Sequence, residues 1–433
     1  MPSPAPWCEP KWDIMCTMNE EHSVTPVIPA ESPGADRVDA STGPTTTDAA
    51  VPFKLGNRPA LTGIRAIALT LVLIFHSNFS TLPGSWVSLD LFFVLSGFLI
   101  TTMLATENQR TGRISLSKFY IRRGARLLPP LFLTVALLGI YASLVYVADA
   151  SQRVWGDSAA ALFYYADYRQ AFEHNPLYSG FLTQCWSLAV EEQFYLIWAA
   201  LLLVALKFGH RRLGYVLAVT GIVVCAANRV HLVLDAHPWT IAVADRVYYA
   251  FDTRADALFL GCLLGLIATG GHLDGWRPWV KRLFSALTVV ATAVMVWIIF
   301  TVTLGERSLP LVWLPVSTVA SAIIIVYFII HPRGLGTRVV GVSALVLVGE
   351  MSYTIYLIHW PIFVAISPST THWSYLQADI VRMAIVIPLA AASWYLMEKP
   401  LTKWRRTSAH TVSGTGEAPI PDAAPPAEVA DPR

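Results

Sequence analysis

Arg65 and His76 stand eleven positions apart in the first apolar segment of the chain. At 100° per residue that is three helical turns plus roughly 20°, so both side chains share one stripe. The helix sets them roughly 16 Å apart along its axis. A guanidinium can hold an anion, and an imidazole, whose ordinary pKa is about 6.5, can take a proton from a hydroxyl or carry a transferred group. The pair therefore suits an anionic donor whose reactive carbon must reach a base further along. With no chemistry to perform, the same residues would be a positive anchor and an interfacial histidine.

Other ionisable side chains lie inside apolar sequence, where each costs at least about 2.5–3.5 kcal/mol on insertion scales. They are Asp90, Glu191, Glu192, Asp252, Arg254, Asp256, Glu350, His359 and Arg382. Asp90 could orient a neighbouring His76 through its ring N–H, as carboxylates do in hydrolytic triads, or cap a helix end. Gly97, on the same helical face as Asp90, admits a close neighbour. Glu191 and Glu192 are about 100° apart, so at least one points into a bundle. Arg254 sits between Asp252 and Asp256; it is neutralised internally or contacts an anionic donor or developing oxyanion. In Lys118-Phe-Tyr-Ile-Arg-Arg-Gly-Ala-Arg126, Arg122 and Arg126 share a face one turn apart. Their guanidinium groups fit phosphates, those of coenzyme A or of acidic lipids, although a topology signal would need no ligand. His231-Leu-Val-Leu-Asp235 has an H-x-x-x-D spacing but lies at a helix end without a supporting context.

These residues need elements to hold them. Of the 433 residues, 55% are hydrophobic and 14% charged, against about 25% charged in soluble chains. That excludes a soluble enzyme, a disordered scaffold and a nucleic-acid binder. Open sheets cannot satisfy their backbone in lipid, so the fold is an all-α, polytopic membrane helical bundle. Spans of ~20 apolar residues fall at about 61–80, 86–105, 128–148, 186–206, 213–231, 248–270, 283–303, 310–330, 344–366 and 376–397. Lys and Arg cluster in alternate connections, as in the Arg110–Arg126 and Lys207–Arg212 regions. The intervening ones keep only Arg153, Arg169, Arg229, Arg246 and Arg307. This alternation predicts ten spans with both termini cytoplasmic. The stretch from Asp149 to Cys185 is strongly aromatic (Trp155, Phe163, Tyr164, Tyr165, Tyr168, Phe172, Tyr178, Phe181). It reads as an interfacial belt or a platform for an acceptor ring. Residues 1–55 read as a disordered leader, 56–406 as the membrane domain and 407–433 as a disordered tail. Five scattered cysteines (Cys8, Cys16, Cys185, Cys225, Cys262) suggest no disulfide frame, and no metal site is expected. Hydrolase, NTPase, metalloprotease and dinucleotide motifs are missing from the sequence.

Several segments, in order, are similar to the acyltransferase-3 family of integral-membrane acyltransferases. They are Arg65 with His76; Ser88-Leu-Asp-Leu-Phe-Phe-Val-Leu-Ser-Gly-Phe-Leu-Ile100; Phe119-Tyr-Ile-Arg-Arg-Gly-Ala-Arg-Leu-Leu-Pro129; and Trp186-Ser-Leu-Ala-Val-Glu-Glu-Gln-Phe-Tyr195. Arg254-Ala-Asp-Ala-Leu258, Ser352-Tyr-Thr-Ile-Tyr-Leu-Ile-His-Trp-Pro361 and Glu398-Lys-Pro400 complete the set. The resemblance implies a plasma-membrane enzyme moving a short acyl group, expected to be acetyl, from acyl-CoA to a hydroxyl of a saccharide, lipid or secondary metabolite. By this resemblance His76 and Arg65 match the family's functional pair, with Glu191, Glu192, Arg122, Arg126 and Arg254 as supporting positions; Asp90 is a catalytic candidate on helix geometry alone. The tail is too short for the esterase-like domain fused to some members, so delivery could involve a separate partner. A transporter or flippase using the charges as a relay is the competing class; it predicts paired repeats, which the sequence does not display.

Overall fold

The computed structural model describes residues 56–400, apart from residues 57, 79–80, 146–147, 174–179, 209–210 and 274 and the side chains of 145–153. The expected leader and tail, and Tyr178 of the aromatic stretch, lie outside the described residues. Among the described residues every regular element is a helix, in keeping with the all-α bundle read from the sequence.

Pro59, which has no N–H to lose, opens α1 (Pro59–Ser77). Next come α2 (Val87–Thr111), ended by Gly112 in the left-handed region, and α3 (Leu116–Val145). Two shorter helices, α4 (Ala148–Leu162) and α5 (Ala166–Phe172), carry the aromatic stretch. They lead to α6 (Cys185–Lys207) and α7 (Arg211–Asp235). After α8 (Ile241–Tyr249), α9 (Phe251–Arg254) and α10 (Asp256–Thr269) comes α11 (Pro278–Thr301). A π-turn over Leu309–Trp313 runs into α12 (Leu314–Ile330). Then follow α13 (Leu335–Val340), α14 (Ser343–Glu350), α15 (Ser352–Ala365), α16 (Pro368–Thr371) and α17 (Tyr375–Ser393). A capping box between Ser374 and Gln377 starts α17.

Eight of the ten expected spans are helices long and apolar enough to cross a bilayer, and the chain is a multi-pass membrane protein. The other two, 248–270 and 344–366, are discontinuous: the first breaks at Ala250 and Ala255, the second at Met351. Hydropathy alone does not register such breaks. A break is tolerable at membrane depth where protein groups take over the freed backbone. Arg229 donates to the carbonyl of Thr253 at 2.7 Å beside the first break.

Helix α2 is the most enclosed of the long helices, whereas α11 turns Val289, Val290 and Phe300 outward, as lipid-facing surface should. Gly97 lets α2 meet α10, as its position suggested. A Cβ there would lie 2.0 Å from the Leu258 carbonyl oxygen, and one on Gly261 would lie 2.1 Å from that of Val94. The two glycines face each other's helices, so the backbones touch without intervening side chains.

Across this contact runs a buried charge clamp. Asp90 of α2 pairs with Arg254 of α9 at 2.8 Å, and both are at most 1% exposed. Ser317 of α12 donates a short hydrogen bond to the other oxygen of Asp90. One layer away Arg229 of α7 pairs with Asp256 at 2.7 Å. These bonds hold α2, α7, α9, α10 and α12 in one register. Breaking such a pair from one side leaves an uncompensated buried charge. Arg254→Met should therefore destabilise the protein by about 3–5 kcal/mol, while Asp90→Leu combined with Arg254→Met should recover much of the loss. Thermal unfolding of the purified variants measures both; a single variant as stable as wild type contradicts the clamp.

Candidate active site

Three cavities line up along the stripe on α1 that carries Arg65 and His76. The first, about 320 Å³, is walled by Arg65, Ser96, Arg122, Arg123, Arg126 and Glu191; we call it the basic chamber. The second is a neck of about 60 Å³ bounded by Arg65, Phe92, Glu191, Ser352 and Tyr356. The third, about 220 Å³, contains His76 with Gln184, Trp186, Tyr248, Tyr356 and Trp360; it is the histidine chamber. Neighbouring cavities share walls. Arg65, Phe92, Leu188, Glu191 and Tyr353 belong to both the basic chamber and the neck, and Leu89 and Tyr356 to both the neck and the histidine chamber. Tyr356 is fixed where it stands, donating to the Gln184 carbonyl at 2.7 Å and sharing a 2.6 Å bond with Ser187.

In the basic chamber the two adjacent glutamates have different surroundings. Glu191 accepts from Ser96 at 2.8 Å and lines the cavity. Glu192, about 100° round α6, takes a bidentate bond from Arg123, with contacts of 2.6–2.9 Å. The Arg123 guanidinium also lies 3.5 Å over the ring of Tyr195. Arg123 was not singled out in the sequence. It falls between Arg122 and Arg126, lines the chamber with them, and turns its guanidinium to Glu192 of α6. Arg122 and Arg126 both line the basic chamber.

In the histidine chamber the partner of His76 is not Asp90 but His359 of α15. The expectation for Asp90 is corrected because Arg254 and Ser317 hold its carboxylate. Arg254 is corrected likewise: it is spent on that pair, over the rings of Tyr248 and Phe93, and does not line the three cavities. His76 Nδ1 lies 2.8 Å from His359 Nε2, with the two rings within 16° of coplanar. His359 Nδ1 faces the carbonyls of Tyr356 at 2.6 Å and Ile355 at 3.2 Å, so it must carry the hydrogen. Neutral His359 then offers only a lone pair at Nε2, and His76 must donate from Nδ1. The basic lone pair of His76 is thereby assigned to Nε2. Trp360, its ring centroid 4.7 Å from that of His76, donates to Gly180 at 2.7 Å and closes one side. His231 and Asp235 merely pair on the exposed face of α7.

The aromatic stretch contributes Gln170, Thr183 and Gln184 to the histidine chamber. Its anchor is Asp167 of α5, fully buried, which accepts from Gln193 at 2.9 Å. Burial pushes this carboxyl up to about 6, against the opposing pull of that hydrogen bond. An unfolded Asp titrates near 3.9, so between roughly pH 4 and 6 the folded state holds the extra proton and stability falls as pH rises. Asp167→Asn should lose less melting temperature than wild type between pH 4 and 7. Equal losses in the two proteins would contradict this.

The profile of an acyltransferase domain matches residues 58–399. The peptidoglycan O-acetyltransferase OatA of Listeria monocytogenes is 32% identical over 80% of this chain and 56% of its own length. The putative peptidoglycan O-acetyltransferase YrhL of Bacillus subtilis is 30% identical over 79% and 54%. The O-acetyltransferase OatA of Staphylococcus aureus is 27% identical over 80% and 57%. The chain thus spans about half the length of these curated relatives. No solved structure matches. Every described helix lies inside the matched region, and the chain belongs to the acyltransferase-3 family.

Proposed function

We propose that this protein moves an acetyl group from acetyl-CoA, bound at the basic chamber, to a hydroxyl of a cell-wall saccharide in the histidine chamber. The observation that carries this reading is the shared-wall run of cavities, with guanidinium groups at one end and a tautomer-fixed imidazole at the other. Relatives named as peptidoglycan O-acetyltransferases favour acetyl over longer groups and a cell-wall saccharide over a lipid.

In this mechanism Arg122 and Arg126 hold donor phosphates and Arg65 stands where the pantetheine arm enters the neck. His76 Nε2 removes the proton of the acceptor hydroxyl as its oxygen attacks the thioester carbonyl. The C–S bond breaks, the oxygen keeps the acetyl group, and the coenzyme A thiolate takes up a proton. His359 holds the His76 ring in the tautomer that puts the lone pair on Nε2. The neck, about 60 Å³, suits small groups, whereas the polyanionic nucleotide stays with the arginines.

In vesicles supplied with acetyl-CoA, His76→Ala should lower acetyl transfer by roughly 10²–10⁴-fold with insertion intact; near wild-type transfer sinks the assignment. His359→Ala should reduce kcat by roughly ten- to a hundredfold, the measure of other partners that fix an imidazole, and leave the KM for acetyl-CoA in place. Arg122→Gln with Arg126→Gln should do the reverse, raising that KM with kcat largely kept. Identical kinetic signatures in the two sets would mean that donor binding and proton transfer are not separated as proposed.

A further inference from the structure

Pro361 has no N–H, so the carbonyl of Leu357, four residues earlier in α15, loses its helical donor. Gln184 replaces it, donating from Nε2 at 2.9 Å. That bond sets the orientation of the amide, because the flipped arrangement would press Oε1 against a carbonyl oxygen. Gln184 is 2% exposed, and its Oε1 meets no hydrogen-bond donor among the described residues. Ser85 is 0% exposed, and its Oγ is likewise without a partner among the described residues. Both residues are walls of the histidine chamber, with His76. A buried polar atom left unpaired is costly, and two in the wall of one cavity beside a base mark positions that a bound molecule satisfies.

The chemistry of that molecule follows from the rest of the wall. Trp86, Trp186, Tyr248, Tyr249, Tyr356 and Trp360 supply aromatic rings, and among the described lining residues no carboxylate, lysine or arginine accompanies His76. A phosphate or carboxylate would be buried there without a countercharge. A lipid alcohol would bring one hydroxyl and leave the other two polar positions unanswered. A sugar ring brings apolar faces for the aromatic rings and several donors around its rim. A further cavity of about 310 Å³, walled in part by Trp239, Asp245 and Glu306, shares Tyr248 and Leu304 with the chamber, which gives room for a second ring.

Resting on the acyl-transfer reading above, we infer that Ser85 Oγ and Gln184 Oε1 bind the acceptor, an uncharged sugar ring, at groups flanking the hydroxyl presented to His76, the Ser85 hydroxyl donating or accepting and Gln184 Oε1 accepting. The test uses the full chain in vesicles with saturating acetyl-CoA, following free thiol while N,N′-diacetylchitobiose is titrated, with hexanol as the single-hydroxyl comparison. Ser85→Ala should raise the KM for chitobiose roughly three- to tenfold, the loss of one neutral hydrogen bond, and narrow the preference over hexanol. The KM for acetyl-CoA and the melting temperature should hold, since the deleted hydroxyl has no described partner to lose. Gln184→Met should raise the chitobiose KM further and lower the melting temperature, because Leu357 loses its donor. An unchanged chitobiose KM in Ser85→Ala, or a wild type that acetylates hexanol as readily as chitobiose, overturns the inference and leaves the acyl-transfer reading standing. Thiol release that is independent of either acceptor, or that survives His76→Ala, overturns that reading and this inference with it.

Discussion

A group that water would satisfy at a protein's surface must find its partner inside the protein when it lies in a bilayer. Much of this architecture answers to that constraint. The break between α9 and α10 is closed by Arg229 on Thr253, and the gap that Pro361 opens in α15 is closed by Gln184 on Leu357. His359 meets the same requirement with its Nδ1–H, and in doing so dictates the tautomer of His76. Structural satisfaction and the choice of the imidazole tautomer are here one set of bonds.

The same constraint sorts the intramembrane charges into two groups. Asp90, Arg254, Arg229 and Asp256 are paired across helices, are almost wholly buried, and stay out of the three aligned cavities. Arg65, Glu191 and His76 sit in cavity walls instead. An insertion cost identifies both groups equally well from sequence, because it depends on depth and charge alone. What separates the two groups is whether the side chain borders a cavity, and that is a property of the assembled helices.

This explains what the sequence disclosed and what it withheld. The helical bundle, the stripe through Arg65 and His76, and the close approach at Gly97 follow from periodicity and composition, which are local. The His76–His359 bond joins residues 283 positions apart, and the Asp90–Arg254 bond joins residues 164 apart. Neither spacing carries any helical signature. Arg123 was hidden for a different reason. Its register differs by one from Arg122, and only the position of α6 decides which neighbour in a basic run becomes an ion-pair partner. The two discontinuous spans were hidden by hydropathy itself, since an apolar window reads the same whether or not its helix is broken.

The narrow place between the chambers bears on how such a site could work without leaking. Tyr356 stands at the boundary, tied to the carbonyl of Gln184 and to Ser187, so one wall of the neck is held by the same residue that lines the histidine chamber. An open pore would expose Arg65 and His76 to a common solvent and let ions follow the substrate. Two chambers of unlike character, one walled by guanidinium groups and the other by aromatic rings, instead favour different molecules at their two ends. The neck of about 60 Å³ between them selects by size, and on the proposed reaction an acyl group meets that criterion where neither a nucleotide nor a sugar does.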